Sequence, residues 1–336
     1  SILGEVARVA RVLPMIVEIV PSALHGERVD RIVAFILDVS RSVASGLVER
    51  GAVHVDGSVE TSGKVRLIEG QEVSVDPSQV PGETFPEADH TVEVSVVHVD
   101  EDVIVVDKHA GLVVHPGAGN DSKTLVNGLL AEFPEIAGVG EPHRPGIVHR
   151  LDAGSTGLLV VARTQHAYDE LVPQFADHSA TRMYKALVWG HPTALHGVID
   201  APIGRSRRDP LKMAVVADGR NSRTEYEVVS RYVSPVDCAL LECSLETGRT
   251  HQIRVHAKLI ECPVVGDNLY KLRRKEDLDV KKTILPLFEG KRSRQMLHAH
   301  ELSIVHPESS KTLFFRSNLP NDFSNLMSNL GKYKRS

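Results

Sequence analysis

The segment Gly146 to Arg163, GIVHRLDAGSTGLLVVAR, sets Arg150 and Asp152 in a short polar loop directly ahead of the apolar run Leu158 to Ala162. An ionised carboxylate beside a core is destabilising by several kcal/mol unless it is paired. Gly154 and Gly157 let the chain turn on either side of Ser155 and Thr156. The pattern therefore predicts a carboxylate held rigidly next to a cation, as a catalytic carboxylate is held. Two more polar islands lie among apolar stretches. TRMYKAL, residues 181 to 187, flanks Tyr184 with Arg182 and Lys185, and LETGRTHQIRVH, residues 245 to 256, carries Arg249, His251, Gln252, Arg254 and His256. A carboxylate, a tyrosine and arginines, without a cysteine or carboxylate cluster, do not make a metal site. The islands also lack a Ser-His-Asp order and a Gly-rich loop before a helix. What remains is one acid with a cationic partner and an aromatic face. His251 and His256 are five apart, which fits neither helical nor strand ligand spacing. His298 and His300 share a strand face without a third ligand and read as packing.

The elements that must position these islands are mostly strands. Valine recurs in alternation, which points to β-structure. VEVSVVHVDEDVIVVDK predicts two antiparallel strands turning at Asp100 to Asp102, GLVVHPG a strand that breaks at Pro116-Gly117, and Ser122 the cap of a helix carrying Leu125, Val126, Leu129 and Leu130. A helix over Gln165 to His178 contains Pro173, which should kink or divide it. TRMYKALVWG, SRTEYEVVSRY, CALLECSLETG, HAHELSIVHP and KTLFFRS predict further strands. Together they imply an α+β domain from residue 91 to 325 built on a mixed, largely antiparallel sheet. Residues 27 to 75 read as a separate unit: a helix with Val29, Ile32, Val33, Ile36 and Leu37 at helical spacing, a second helix capped by Ser40 and ended by Gly51, a hairpin turning at Asp56-Gly57, and a short strand from Glu72 to Val75. Residues 1 to 26 form an extension, the acidic, Pro-rich residues 76 to 90 a linker, and residues 326 to 336 a tail.

A length of 336 residues fits two domains. No apolar run approaches the length of a membrane span. Val12 to Val20 resembles a signal peptide only until Pro14 and Glu18 interrupt it. Three cysteines, Cys238, Cys243 and Cys262, without a CxxC pair, fit a reducing cytoplasm and no disulfide scaffold. The net charge of −5 argues against a nucleic-acid partner in sum but not in distribution: residues 82 to 107 are acid-rich, whereas 205 to 223 and 271 to 294 are basic.

Two resemblances give these patterns a context. ERVDR, SRS and G-x-V-x-V-D-G, in that order within residues 27 to 75, resemble the small RNA-binding domain named after a ribosomal protein of the small subunit, with Arg28 and Arg41 as RNA-binding residues. From about residue 92 to 316, HRLD with its Gly-containing loop and GLLVVAR, R-x-Y-x-A-L-V-x-G, L-x-T-G-R-T-H-Q-I-R-V-H, CPVVGDNLY and QMLHA resemble the RluA-type pseudouridine synthases. With the N-terminal unit, the match points to the bacterial RluD-like branch, which acts on large-subunit ribosomal RNA. The resemblance implies that Asp152 is the catalytic aspartate, attacking C1′ of a uridine or taking a proton from C2′, and that the reaction needs no cofactor and no metal. It implies that Tyr184 stacks on the extruded base, that Arg150 enters the gap the base leaves, and that Ile253 packs on the uracil. Arg254 is the expected partner of Asp152, with Arg249 second. The expected partner of the protein is a hairpin loop of large-subunit rRNA, free or in a pre-ribosomal particle, because a base is most cheaply flipped from a single-stranded loop. The sequence departs from the family in Ala153-Gly154 where Lys-Asp is usual, in Arg182 for a frequent Lys, and in Tyr270-Lys271 for Tyr-Gly. Two other readings stay open: an RNA-binding assembly factor without catalysis, and a synthase acting on tRNA. A hydrolytic glycosidase would need a second carboxylate, which the islands lack.

Overall fold

The structure is a computed structural model describing residues 15–39, 41–80, 85–116, 122–207, 209, 212–233, 236–271 and 294–331. The chain divides into two compact units, one ending at residue 84 and the other beginning at residue 85.

In the first unit, β1 (Ile16–Ile19), α1 (Val29–Leu37), α2 (Arg41–Glu49), β2 (Val53–Val55), β3 (Ser58–Glu60) and β4 (Glu72–Val75) follow in order. The strands form one antiparallel sheet in the order β1-β4-β2-β3. Val29, Ile32 and Val33 of α1 and Ala44, Leu47 and Val48 of α2 are buried with Val53, Val73 and Val75 of the sheet. The hairpin turn needs positive φ at both central residues, and Asp56 (50°) and Gly57 (76°) supply it. The strand β1 was hidden in the sequence because it lies at the sheet edge with Val17 and Ile19 exposed, so no clean alternation marks it. The unit thus begins by residue 16, inside the expected extension. The expected cap Ser40 lies outside the described residues.

Arg28 and Arg41 both converge on Asp30, which is 2 % exposed. Arg28 donates through Nε (3.1 Å) and Nη2 (2.6 Å), and Arg41 through Nε (3.3 Å). Burial alone would raise the Asp30 pKa, but the two guanidinium groups outweigh it and hold the carboxyl below its ordinary 3.8. Asp30 also sits in the first turn of α1, where the helix dipole favours an anion.

The second unit runs β5 (Val96–Val99), β6 (Val103–Lys108), α3 (Leu125–Glu132), β7 (Thr156–Ala162), α4 (Gln165–Ala176), β8 (Thr181–Trp189), β9 (His196–Asp200), β10 (Ile203–Arg205), β11 (Met213–Val215), β12 (Arg223–Tyr232), β13 (Cys238–Leu245), α5 (Gln252–Leu259), β14 (Leu297–Val305), β15 (Thr312–Arg316) and α6 (Asn321–Gly331). Its main sheet has the order β5-β6-β7-β14-β8-β13-β12-β9, with β15 also on β14, and β10 and β11 form a separate ribbon. Every pairing is antiparallel except β7 with β14, as the α+β expectation of a mixed, largely antiparallel sheet requires. One face, with Ile104, Val106, Leu159, Val161, Ala186 and Leu241, packs on Leu125 and Leu129 of α3 and Ile253 and Ala257 of α5. The other packs Val105, Leu158 and Val160 on Ala167 and Leu171 of α4, and Leu187 and Leu240 on Phe323, Leu326 and Leu330 of α6. Strands covered on both faces need apolar residues throughout, so β7 reads TGLLVVA with all seven residues buried.

Several elements differ from expectation. GLVVHPG forms no strand among its described residues; Leu112 and Val114 turn into the core, and the carbonyls of Val113 and Val114 accept the first amides of α3. The cap of α3 is Thr124, in a reciprocal capping box with Asn127, and not Ser122. Helix α4 runs unbroken through Pro173, at the loss of the one backbone hydrogen bond that a proline cannot donate. Residues 326–331 belong to α6 and the core instead of a tail. The expected linker is shorter than residues 76 to 90. Phe85 stacks on His143 at 5.2 Å, and the Glu87 carbonyl accepts Asn127 Nδ2 at 2.7 Å.

The cluster around Asp30 predicts a pH-dependent stability of the first unit. A carboxyl with a depressed folded pKa stabilises above its unfolded value of 3.8 and loses that contribution as pH falls through the folded value. Arg28→Ala is expected to lower stability by about 1–3 kcal/mol at neutral pH, an effect that fades in acid. Hydrogen-exchange protection of α1 measures it; equal protection in wild type and variant at neutral pH would sink the assignment.

Candidate active site

Asp152 sits on the loop that enters β7, with its side chain 16 % exposed. Two close approaches shape that loop. A Cβ on Gly154 would fall 2.2 Å from Gln295 Oε1, and one on Gly157 (φ 111°) would fall 2.2 Å from the Ala299 carbonyl oxygen of β14. The buried Lys108, at the end of β6, fastens the loop from beneath by donating to the carbonyls of His109 (3.0 Å), Leu112 (2.8 Å) and Ala153 (3.1 Å). Burial draws the Lys108 pKa down to about 7, against the upward pull of the Asp152 charge.

Arg254 projects from α5 and donates through Nη1 to Asp152 Oδ2 at 2.8 Å. Its Nε and Nη2 bind Asp267 in a fork, at 2.6 and 3.0 Å. Asp267 is fully buried at its side chain and also accepts the amides of Leu269 and Tyr270. Burial would raise its pKa, but Arg254 and the two amides outweigh that and hold it low. Burial likewise works against the charge on Arg254, and its two carboxylate partners more than restore it. The structure places Arg254, and not Arg249, on Asp152; Asp267 was missed, its only signal being an acid one glycine after the buried Val264 and Val265.

His251 stands on the other side of the carboxylate, with Nε2 3.9 Å from Asp152 Oδ1 and Nδ1 2.9 Å from the Tyr270 hydroxyl. That hydroxyl also accepts the Met213 amide, so Tyr270 holds the His251 ring with its Nε2 edge toward Asp152. His251 adopts φ 59° and caps α5, a left-handed conformation that few side chains favour. Gln252 ties this corner down, accepting from Thr247 Oγ1 and the Arg249 amide and donating to the Arg223 carbonyl and Thr224 Oγ1.

These groups line a cavity of about 270 Å³, whose walls include Arg150, Asp152, Arg182, Tyr184, Arg249, Ile253 and Arg254. The period of β8 puts Arg182 and Tyr184 on the cavity face and Lys185 on the other, where it pairs with Glu242. Tyr184 is buried, which raises its hydroxyl pKa against the downward influence of Arg182. Ile253 is buried beside it in the same apolar cluster. Arg150 is exposed at the mouth and makes no hydrogen bond or ion pair among the described residues. Arg249 is anchored to the Asn221 carbonyl at 3.2 Å. Arg28 and Arg41 belong to the other unit.

The expected basic runs contribute less. In the first, Arg207 pairs with Asp218, Lys212 with Asp209, and Arg223 with Asp200 and Glu246. Most of the second lies outside the described residues. Two further histidines hold structure. His256 faces Thr224 Oγ1 and the Ala201 carbonyl, and His298 faces Thr156 Oγ1 and the Ser317 carbonyl. An arrangement of one cation-paired carboxylate, a buried tyrosine and an aliphatic wall suits covalent or general-base chemistry on a flat ring.

Comparison with known proteins gives a consistent result. Residues 102–259 match the family described as RNA pseudouridylate synthase. The chain is 41% identical over 313 residues to the ribosomal large subunit pseudouridine synthase D of Neisseria meningitidis serogroup B, covering 92% of this chain and 80% of that one. It is 38% identical over 313 residues to an uncharacterised RNA pseudouridine synthase of Bacillus subtilis, covering 91% and 95%. Among solved structures, human RNA pseudouridylate synthase domain containing 4 superposes with a TM-score of 0.54 at 26% identity, over 70% of this chain and 93% of that one.

The charge row predicts a stability effect. Asp267→Asn leaves a buried guanidinium with one carboxylate and is expected to lower stability by about 3–5 kcal/mol. Urea unfolding followed by the fluorescence of the single tryptophan, Trp189, measures it. A loss below about 1 kcal/mol would show that Arg254 does not depend on Asp267.

Proposed function

Because this chain belongs to the RNA pseudouridylate synthase family, and is on that ground an RNA pseudouridine synthase, we propose that it isomerises uridines in large-subunit ribosomal RNA, with Asp152 as the reacting group. The observation that carries this reading is the carboxylate of Asp152, held on Arg254 at 2.8 Å within a cavity walled by Tyr184 and Ile253. The ribosomal substrate is supported by the printed names of the relatives, several of which are called ribosomal large subunit pseudouridine synthase D.

In the proposed mechanism the target uridine leaves its stack and enters the cavity. Its uracil lies between Tyr184 and Ile253, and Arg150, free at the mouth, fills the vacated gap. Arg254 holds Oδ2 of Asp152, so Oδ1 meets the sugar, either as nucleophile at C1′ or as base at C2′. The C1′–N1 bond breaks, the uracil turns, the C5–C1′ bond forms, C5 loses its proton and N1 gains one. Tyr184, whose hydroxyl burial keeps protonated at neutral pH, serves as a stacking face and a hydrogen-bonding group near C5.

The first unit is proposed to bind RNA alongside. Arg41, more than half exposed even while paired with Asp30, leaves much of its guanidinium for a phosphate. Arg28 is more deeply engaged with Asp30 and serves chiefly to fix α1. Cytoplasmic action fits the three buried free thiols, Cys238, Cys243 and Cys262, and no described helix is long and apolar enough to cross a membrane.

Asp152→Asn is expected to fold and to bind RNA while turnover falls by at least about 10³-fold. The measurement is mass-shift mapping of pseudouridine, by carbodiimide or acrylonitrile labelling, in unmodified large-subunit rRNA incubated with either protein. Product made equally by the variant would overturn the role of Asp152. Binding of rRNA without product by the wild type would point to an assembly role or to another RNA such as tRNA.

A further inference from the structure

Buried polar atoms are seldom left without a partner. Among the described residues five side-chain atoms are, and three of them, His149 Nδ1, Ser155 Oγ and Arg182 Nε, belong to residues that line the one cavity around Asp152. Arg182 is the unusual member. It is 6 % exposed, yet among the described residues no carboxylate pairs with it. Its guanidinium lies over the Phe175 ring at 5.3 Å, and its Nη2 reaches the Leu245 carbonyl only at 3.5 Å. Among the described residues Nη1 has no acceptor, and it lies under Gly248, where a Cβ would fall 2.7 Å away. His149 stacks on the same Phe175 ring at 4.3 Å. Its Nε2 accepts the Val160 amide, so its unpaired Nδ1 carries a proton, and burial keeps the ring neutral. The cavity thus has a wall with a whole uncompensated positive charge and a second N–H beside it.

A buried cation without a counter-charge is destabilising by several kcal/mol, and an anion brought by the substrate removes that penalty. Asp152 does not fill the role, because its carboxylate is held by Arg254 at 2.8 Å and faces the His251 ring at 3.9 Å. The anion that an RNA substrate carries is its backbone phosphate. A uracil carbonyl would offer an acceptor but no charge. Glycine at 248 is required for the guanidinium to lie where it does, and the same loop leads into α5 and Arg254.

We propose that Arg182 is a phosphate-binding residue of the active site, taking up one backbone phosphate next to the flipped uridine. The proposal rests on the reading of this cavity as the place where RNA reacts. It makes Arg182 a group that selects a polynucleotide over a free nucleoside and fixes the sugar relative to Asp152.

The test uses the full chain and an RNA hairpin containing a uridine mapped as above, made with single methylphosphonate linkages, each compared with the same 2′-O-methyl sugar carrying an ordinary phosphate. In the wild type, one linkage beside the target is expected to lower kcat/KM by about tenfold or more when neutralised. In Arg182→Gln that linkage becomes indifferent while the others keep their effects, the signature of a coupled pair. The salt dependence of binding flattens by about 0.7 in log–log slope, as for one lost single-strand phosphate contact. Gly248→Ala, which displaces the guanidinium without removing it, is expected to blunt the same linkage. Arg182→Lys, with its charge kept, retains the sensitive linkage and serves if the Gln variant does not fold. Identical linkage profiles in wild type, Arg182→Gln and Gly248→Ala, or no sensitive linkage in wild type and Arg182→Lys, would overturn the proposal. A hairpin left unmodified by the wild type would instead overturn the substrate reading, and the salt slope on a short oligouridine would still decide the role of Arg182.

Discussion

One guanidinium, that of Arg254, is shared between two carboxylates, and the second unit is arranged so that this sharing is possible. The fork to Asp267 uses two of its donors and fixes the plane of the group; the remaining edge is presented to Asp152. A lysine at this position would satisfy the charge but not the plane, because only the guanidinium has donors at fixed angles on two sides. The buried anion at Asp267 is itself tolerable only because it accepts two backbone amides as well as the fork. Each partner is therefore costly alone and stable in the row, which ties the loop before β7 to the helix α5 and to the turn at residue 267.

The surrounding fold serves that row. Strand β7 is buried on both faces and gives the Asp152 loop a fixed base, and Lys108 closes the loop from below through three carbonyls. Strand β8 sorts its polar residues by side: Arg182 and Tyr184 toward the cavity, Lys185 toward Glu242. The overall charge of −5 says little about this site, where two of the lining cations, Arg182 and Arg254, are buried. Much of the exposed basic run between residues 205 and 223 is neutralised by local acids.

What could be read in the sequence follows the same division. Asp152, Tyr184 and Arg254 stood out because polar residues in apolar stretches need a reason, and the structure brings those three together. Most of the long strands were legible from alternation and from valine. The residues that were not legible act through tertiary partners. Asp267 looks like a turn residue until Arg254 is opposite it, and Lys108 looks like the polar end of a strand. Helix α5 was hidden because Gln252, Arg254 and His256 are buried for polar reasons, so its apolar stripe is broken. Arg28 and Arg41 drew attention through their charge, while the carboxylate that holds them, Asp30, could not be inferred from spacing alone.

The single parallel pairing in the main sheet has a temporal meaning. Strand β14 lies between β7 and β8 in the sheet, although more than a hundred residues separate it from either in the chain. During synthesis β7 and β8 emerge early and must wait, with the edges that will face β14 unpaired, until residue 305 has cleared the ribosome. Contacts of such long separation also form slowly once they are available. The chain therefore passes through a vulnerable interval, with aliphatic strands exposed and the Ala299 backbone not yet packed against Gly157. The Asp152 loop therefore gains its seat against β14 only after more than a hundred residues beyond β7 have been made.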